Sequence, residues 1–304
     1  MAIKQLGTDK AITIGLLGYG EAGQAIAASM HEQNPEVVLF AYDNAPDDAQ
    51  LFAGHEKLVH QAKTPQALAQ NSDIILSLVT ADQAVAAAQM IAPHLEDRHI
   101  FFDGNSVSPG TKKEAASYLA SSGASYCDMA IMAPIHPRGH KTPLLIAGKC
   151  EAQAAPILSS LAFSYSWEGE SVGDASVVKM LRSILIKGME CLISESVTAS
   201  QGLGLDERIL RSAGQTLGIA DMPALADYVM ERAATHGRRR AAEMREVAKT
   251  LQELGLSNDM SSAIAHYQDR IADMGLSEEF GGAIPQDRSK LAAKMRAAQM
   301  AKKR

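Results

Sequence analysis

The pattern of hydrophobic and polar positions divides the chain into two halves of different organisation. Up to about residue 170, apolar runs typical of β-strands alternate with helical patterns, as at 74–79, 100–103, 125–128 and 144–147. This alternation is typical of βαβ units and a largely parallel sheet. Beyond Gly173, helical patterns follow one another, separated by glycines. We predict an α/β domain over residues 1–172 and an all-α domain over 173–304, which begins with a long interdomain helix.

A glycine-rich turn directly follows the first apolar segment, residues 11–17. It has the sequence Gly18-Tyr19-Gly20-Glu21-Ala22-Gly23 and precedes a helical pattern. In a dinucleotide-binding turn, the first glycine allows the bend, the second lets the backbone approach a pyrophosphate, and the third lets the helix pack closely. The N-terminus of that helix faces the anion. The motif therefore predicts a Rossmann-type domain with residues 18–23 as part of the cofactor site.

The second predicted strand, residues 37–42, ends in Asp43, about 20 residues beyond the last glycine. A carboxylate at this place would bind the ribose hydroxyls of the cofactor. No Arg or Lys follows directly to accept a 2′-phosphate, so NAD is expected rather than NADP. The alternative is that Asp43 only caps the turn that continues through residues 44–46.

Ligands bind at the carboxyl ends of the strands of an open α/β sheet, so the residues after each strand are candidates. Val79 and Thr80 would line the cofactor groove, although Thr80 also suits the N-cap of a helix that begins at residue 81. After the next strand, Asn105 and Ser106 form a polar turn suited to contact the nicotinamide or the substrate. Ser108 and the proline after it predict a helix start and need no ligand.

A long connection follows the strand that ends at Asp128. It contains His136, Arg138 and His140, and such a long connection is often functional. The two histidines alone do not predict a metal site, because no third ligand follows at a suitable spacing. The alternative for each histidine is a solvated loop position.

A helix predicted to start at Gly173 carries Lys179 among apolar neighbours. Ser176, Lys179, Ser183, Ile186 and Glu190 share roughly one face of this helix. Partial burial favours the neutral amine of a lysine, which could exchange a proton with an alcohol while hydride leaves for the cofactor. The alternative is an ordinary solvated helix lysine.

The glycine turn, the turn at 103–106, the strand ending at Asp128 and the Gly-Asp-Ala-x-x-x-Lys helix resemble the β-hydroxyacid dehydrogenases in order and spacing. That family includes 3-hydroxyisobutyrate and 6-phosphogluconate dehydrogenases. The resemblance covers about residues 10–190, and residues 173–179 are its most specific part. It implies that Lys179 is the catalytic acid/base and that the helical domain builds a homodimer.

The chain departs from this family at three places. Ser183 replaces the usual Asn, and Ile186 replaces the glutamate of the decarboxylating enzymes, so that type of decarboxylation is not expected. Met132 begins a Met-Ala-Pro sequence where the family has a Ser-Gly-Gly cradle for the substrate carboxylate. Either the substrate lacks that carboxylate, or His136 and Arg138 bind it instead.

The C-terminal half resembles an uncharacterised type of helical domain found attached to such dinucleotide domains. Its basic run, residues 236–240, could reach an acidic or phosphorylated substrate. The alternative is a solvated helix start in which the arginines pair with Glu243 and Glu246.

Composition narrows the class of protein. A net charge of −6 on 304 residues disfavours nucleic-acid binding, and no apolar stretch of about 18 residues predicts a membrane span. The polar residues 1–10 lack the apolar core of a signal peptide. Cys127, Cys150 and Cys191 are far apart and odd in number, so we expect free thiols and a cytoplasmic protein.

Together these features predict an NAD-dependent dehydrogenase of a 3-hydroxy acid or related small alcohol, with Ser106 and Ser183 orienting the substrate. An imine reductase on the same scaffold is an alternative, disfavoured by the retained Lys179. A non-catalytic dinucleotide-binding sensor is a third, favoured by the substitutions at Ser183 and Met132.

Overall fold

The computed structural model describes residues 12–45 and 48–301. The predicted polar start, residues 1–10, lies outside this range. The chain divides into two compact units, residues 1–180 and 181–304, and the division falls inside one long helix, Asp174–Gln201. The sequence-based division at residue 172 lies just before that helix.

The first unit contains an eight-stranded sheet with the strand order β3-β2-β1-β4-β5-β6-β7-β8. All neighbouring strands are parallel except β6 and β7, which pair antiparallel. The strands are β1 Thr13–Leu17, β2 Val38–Tyr42, β3 His60–Gln61, β4 Ile74–Ser77, β5 Ile100–Asp103, β6 Ser125–Ile131, β7 Leu144–Ala147 and β8 Tyr165–Gly169. This arrangement confirms the predicted Rossmann-type fold.

Among the described residues of the first unit, six α-helices cover the two faces of this sheet. They are α1 Glu21–Gln33, α2 Asp48–Phe52, α3 Pro65–Gln70, α4 Ala84–Ile91, α5 Pro109–Leu119 and α6 Glu151–Ser160. Alternate residues of each strand point to opposite faces. Leu76 and Phe102 therefore join a core with α1, α2 and α6, whereas Ile75 and Phe101 join a core with α3, α4 and α5. Two-sided burial explains why the central strands are almost continuously apolar.

The second unit is helical throughout its described residues, as predicted. After α7 Asp174–Gln201 come α8 Asp206–Leu217, α9 Met222–Glu253, α10 Asp259–Ala272, α11 Leu276–Glu279 and α12 Arg288–Ala301. Helix α9 is kinked at His236, and a Cβ at Gly237 would lie 2.9 Å from the carbonyl oxygen of Gln268. Only glycine lets α9 approach α10 this closely at that point.

The expectation of three free thiols is wrong for two of them. Cys127 and Cys150 form a disulfide, and Cys191 is free and buried. The antiparallel pairing of β6 and β7 is the physical reason. Because Asp128 pairs with Ala147, Cys127 on β6 lies beside the loop after β7 that carries Cys150.

Candidate functional site

The glycine turn connects β1 to α1, and two of its glycines are required by packing. Gly18 has a φ of +99°, and a Cβ there would lie 2.9 Å from the carbonyl of Leu78. A Cβ at Gly23 would lie 2.6 Å from the carbonyl oxygen of Gly18. By contrast, a Cβ at Gly20 would meet no atom within 4 Å. The space beside Gly20 is therefore open.

Tyr19 has a structural role that its position in the motif did not reveal. Its side chain is fully buried and stacks on Phe52 with a centroid distance of 4.7 Å, while its hydroxyl lies 3.1 Å from Nδ1 of His55. Burial raises the pKa of the Tyr19 hydroxyl to about 12, so the hydroxyl is protonated at neutral pH. Only the backbone of Tyr19 remains for a ligand at the turn.

Asp43 at the end of β2 lies against the glycine turn. Its Oδ2 accepts the backbone N–H of Tyr19 at 2.7 Å, and its Oδ1 accepts that of Ala45 at 2.9 Å. The second bond is the turn capping that the sequence offered as an alternative. Each carboxylate oxygen can accept a further hydrogen bond, so the structural role does not prevent ribose binding.

The chain after β4 forms another part of this sheet edge. Val79 is half-buried and Thr80 is exposed. Thr80 occupies the N-cap position of a 3-10 turn over 81–83, but its side chain makes no capping bond. It bonds the carboxylate of Asp82 instead, and this bond lowers the pKa of Asp82. Thr80 is therefore the N-cap residue that the sequence suggested, although its side chain does not make the capping bond.

The polar turn after β5 is fixed by hydrogen bonds of Asn105 to the ends of β4 and β5. Asn105 is buried, donates from Nδ2 to Ser77 Oγ at 3.0 Å, and donates its backbone N–H to Asp103 Oδ1 at 3.0 Å. Within the described part of the chain, nothing donates to Asn105 Oδ1. A buried acceptor without a donor is uncommon in folded proteins, and it makes Asn105 a candidate to bind an amide group of a ligand.

Lys179 and Ser106 lie together, although 73 positions separate them in the sequence. Lys179 Nζ donates to Ser106 Oγ at 2.6 Å. The amine comes from the second turn of α7, and the hydroxyl comes from the turn after β5. Lys179 is partly buried, so the side chain is not an ordinary solvated lysine.

Ser108 and Pro109 start α5 as predicted, with Ser108 Oγ accepting the backbone N–H of Thr111 at 3.2 Å. The same helix carries Lys112, which sequence reasoning did not single out. Its side chain is completely buried and contacts the carboxylates of Asp103 and Asp128. One signal was present in the sequence, because Asp103 ends β5, Asp128 lies within the neighbouring strand β6 rather than at its predicted end, and buried carboxylates need a cation.

The loop after β6 is fixed by His140 rather than by its exposed members. His140 is buried, with Nδ1 at 2.6 Å from Ser29 Oγ and Nε2 at 3.1 Å from Gln33 Oε1, both on α1. Burial lowers the pKa of His140. The alternative of a solvated position is therefore wrong for His140.

The predicted substrate contacts of this loop have different environments. Met132 is half-buried, and its backbone N–H donates to the carbonyl of Pro143 at 2.9 Å. His136 and Arg138 are exposed. Their exposure is what would let these two side chains bind an anion.

Ser183 lies in the second unit, where it is buried and accepts a hydrogen bond from Lys187 Nζ at 3.3 Å. Lys187 also pairs with Glu243 at 3.0 Å. Ser183, Lys187 and Glu243 thus form a polar cluster within the second, helical unit.

The basic run at 236–240 is inside α9 rather than ahead of a helix. Arg238 pairs with Asp269 and Asp273 of α10, and Arg240 is buried with Glu190 of α7. The expected pairing of Arg238 and Arg240 with Glu243 and Glu246 is therefore wrong, because acids on neighbouring helices approach these arginines instead.

The residues at the sheet edge fit a dinucleotide. The open space at Gly20 would accept a pyrophosphate, and it lies at the N-terminus of α1, where the helix dipole favours an anion. The orphan Oδ1 of Asn105 would accept the carboxamide of a nicotinamide. Among the described residues, no group of His, Cys, Asp or Glu side chains is arranged to hold a metal ion.

Family comparisons agree with this fit. A family model described as the NAD binding domain of 6-phosphogluconate dehydrogenase matches residues 13–167, slightly more than half of the 304 residues. A second model, described as a domain of unknown function (DUF1932), matches residues 201–271. The chain therefore belongs to the dehydrogenase family with this type of NAD(P)-binding domain, and the predicted resemblance is confirmed.

Solved structures extend the likeness to nearly the whole chain. A conserved hypothetical protein from Sinorhizobium meliloti 1021 is 34% identical, with 95% of this chain and 97% of that chain covered and a TM-score of 0.73. A 3-hydroxyisobutyrate dehydrogenase from Mycobacterium tuberculosis is 17% identical, with 94% and 99% covered and a TM-score of 0.70. An imine reductase from Myxococcus stipitatus, in complex with NADP+, is 18% identical, with 93% and 99% covered and a TM-score of 0.56. The last two show a shared fold.

No helix within residues 12–45 and 48–301 is long and apolar enough to cross a bilayer.

Proposed function

We propose that this protein is an NAD-dependent dehydrogenase of a 3-hydroxy acid or related small alcohol, with Lys179 as general acid/base. The observation that carries the proposal is the 2.6 Å hydrogen bond between Lys179 Nζ and Ser106 Oγ. An amine and a hydroxyl from two separate elements converge at the sheet edge where parallel α/β folds bind ligands. The dehydrogenase family to which the chain belongs supports the reaction class.

When bound, NAD would supply the acceptor for the hydride that leaves the substrate carbon. The neutral amine of Lys179 takes the hydroxyl proton as the carbon–hydrogen bond breaks, so that the alcohol becomes a carbonyl. Ser106 shares a hydrogen bond with this amine and orients the substrate oxygen toward Nζ. In the reverse direction, the ammonium of Lys179 returns the proton to the carbonyl oxygen.

The test is a panel of hydroxy acids, sugar acids and aromatic alcohols, assayed by absorbance for NADH formation. On a substrate that the wild type oxidises, Lys179→Ala should lower kcat by roughly 10²- to 10⁴-fold, the usual contribution of a positioned acid/base. The Kd for NAD, measured by fluorescence, should not change. Full turnover by Lys179→Ala would refute the proposed role.

NAD is the proposed cofactor because of Asp43. Its carboxylate can accept the ribose hydroxyls with the lone pairs that the two backbone N–H groups leave, and its charge would repel a 2′-phosphate. Titration with each cofactor should give a lower Kd for NAD. A markedly lower Kd for NADP would contradict this role.

A non-catalytic sensor remains the second candidate, because Ser183 and Met132 replace residues that the related dehydrogenases use. Tight NAD binding without turnover on the whole panel would favour the sensor. Reduction of an imine is disfavoured by Lys179, and imine-dependent NADH consumption would reverse this order.

We further propose a homodimer built on α7. Leu181, Leu185 and Leu192 are 40%, 69% and 62% exposed, which is unusual for three leucines of one helix. Their spacing places them on one stripe of α7. A second copy of the chain would bury this stripe.

A further inference from the structure

We infer that Lys112 is a positioning residue for the Lys179–Ser106 pair: its buried ammonium links the turn that carries Ser106 to the helix that carries Lys179. This inference rests on the proposed function of that pair. Lys112 itself is completely buried and touches neither Lys179 nor Ser106 in any described hydrogen bond.

The first link is to the turn after β5. Lys112 Nζ donates to the carbonyl oxygen of Asp103 and, at 3.0 Å, to Asp103 Oδ1. The same Oδ1 accepts the backbone N–H of Asn105 at 3.0 Å, which fixes the chain directly before Ser106. Tyr126 donates its hydroxyl to Asp103 Oδ2 at 2.6 Å. Burial, followed by the charge of Asp103, raises the pKa of Tyr126, so this hydroxyl stays a donor.

The second link is to the start of α7. Lys112 Nζ lies 3.4 Å from Asp128 Oδ1. Asp128 Oδ2 accepts the backbone N–H groups of Gly173 at 3.1 Å and Ser176 at 2.9 Å, while Ser176 Oγ donates to Oδ1 at 2.5 Å. Asp128 therefore caps the helix whose next turn carries Lys179.

Charge explains why a lysine is needed between these two links. Two carboxylates, each at most 1% exposed, lie against one fully buried ammonium. The N-terminus of α7 offsets part of the remaining negative charge. Without the ammonium, the two buried carboxylates would repel each other, and the two segments would separate or one carboxylate would take up a proton.

The decisive variant is Lys112→Met, which keeps the length of the side chain and removes its charge. The matched control is Lys113→Met, because Lys113 is the next residue of α5 and is exposed. We expect Lys112→Met to lower kcat by about 10²-fold, as small displacements of reacting groups do. The Kd and the KM for NAD should rise by severalfold at most, because these links reach the cofactor site only through Asn105 and do not include the glycine turn. Lys113→Met should behave like the wild type.

Each other result overturns the inference. A folded Lys112→Met protein with kcat within about threefold of the wild type would show that the links do not position the pair. A rise in the Kd for NAD that matches the fall in kcat would place the effect in the cofactor groove instead.

Two milder variants cover the case in which Lys112→Met does not fold. Tyr126→Phe and Ser176→Ala each remove one hydroxyl donor to one of the carboxylates. Each should lower kcat several-fold, with a smaller change in the Kd for NAD. Wild-type kcat in both would refute the inference.

Hydrogen exchange separates this inference from the proposed function. In Lys112→Met, or in the two milder variants, exchange should accelerate together in peptides 103–108 and 173–179, whereas Lys113→Met should leave both unchanged. If no substrate is oxidised, or Lys179→Ala keeps full kcat, the proposed function fails while the exchange result still decides the linkage. Unchanged exchange in either peptide refutes it.

Discussion

At the scale of single residues, two glycines of the same turn have different structural roles. Gly20 and Gly23 are three positions apart, yet a Cβ would meet open space at Gly20 and a backbone oxygen at 2.6 Å at Gly23. The glycines of the motif therefore separate into one that leaves room for a ligand and others that the packing itself requires.

Alanine substitutions should separate these two roles. Gly20→Ala should raise the Kd for NAD at least tenfold with little change in Tm, because only the ligand would meet the new methyl group. Gly23→Ala should lower the free energy of unfolding by about 1–3 kcal/mol, the usual cost of overpacking. Calorimetry of the free proteins and fluorescence titration with NAD check both. Equal effects on Tm would contradict the distinction.

Ser106 and Ser108 offer a second matched pair in one turn. Ser106→Ala removes the hydroxyl that bonds Lys179, so kcat should fall about tenfold or more with an unchanged Tm. Ser108→Ala removes the N-cap of α5 and should cost about 1 kcal/mol of stability with kcat nearly unchanged. Steady-state kinetics and thermal unfolding of both variants decide, and the opposite assignment of effects would refute the role of Ser106.

Sequence reasoning located residues whose type is restricted by local geometry and missed those defined by tertiary contacts. The glycine turn and the Ser108-Pro109 helix start have local signatures. Lys112 has none, because a helix lysine is nearly always solvated and only the fold shows the two carboxylates around it. The structural role of His140 was missed for the same reason, since its partners Ser29 and Gln33 are over 100 positions away in the chain.

At the scale of elements, the kink of α9 and the close approach of α10 accompany a buried ion pair. Arg240 donates to Glu190 Oε2, and Gln268 Nε2 lies 3.5 Å from the same oxygen. Burial raises the pKa of Glu190, while Arg240 opposes that rise. The buried carboxylate of Glu190 therefore depends on Arg240 to stay ionised.

Replacing Arg240 by Met should destabilise the protein by about 3–5 kcal/mol near neutral pH, because Glu190 would keep a buried charge without its cation. The pKa of Glu190 would then rise further above its unfolded value. A buried carboxyl with a raised pKa makes the folded protein less stable as pH rises through that folded pKa. The loss of unfolding free energy in Arg240→Met should therefore be smaller near pH 5 than near pH 8. Denaturant unfolding at both pH values measures it.

Arg238→Met is the control for this experiment, because Arg238 is an exposed arginine of the same helix. It should change stability little at either pH. A deficit for Arg240→Met that is independent of pH would contradict the role assigned to Glu190.

The order of elements was predicted better than their contacts. Apolar strands alternating with helices predicted the sheet, and their disappearance after Gly173 predicted the helical half. The disulfide between Cys127 and Cys150 was not predicted, because it follows from the antiparallel pairing of β6 and β7. The spacing of cysteines in the sequence does not indicate the direction of a strand.

At the scale of the whole molecule, the proposed homodimer makes a simple prediction. Leu185→Glu places a charge on the exposed stripe of α7 and should shift the protein toward the monomer, as measured by analytical ultracentrifugation. Leu217→Glu is a matched control, since Leu217 is 61% exposed but lies at the end of α8. A wild-type protein that sediments as a monomer at micromolar concentration would refute the proposal.

Tyr19 connects the glycine turn to a distant part of the sheet edge. Its ring rests on Phe52, its hydroxyl meets His55, and its N–H holds Asp43. A nucleotide that orders the turn would thereby also oppose local opening of residues 50–58, which lead into the two-residue strand β3. Limited proteolysis should reveal this protection at a distance from the bound phosphates, and Tyr19→Ser should abolish it.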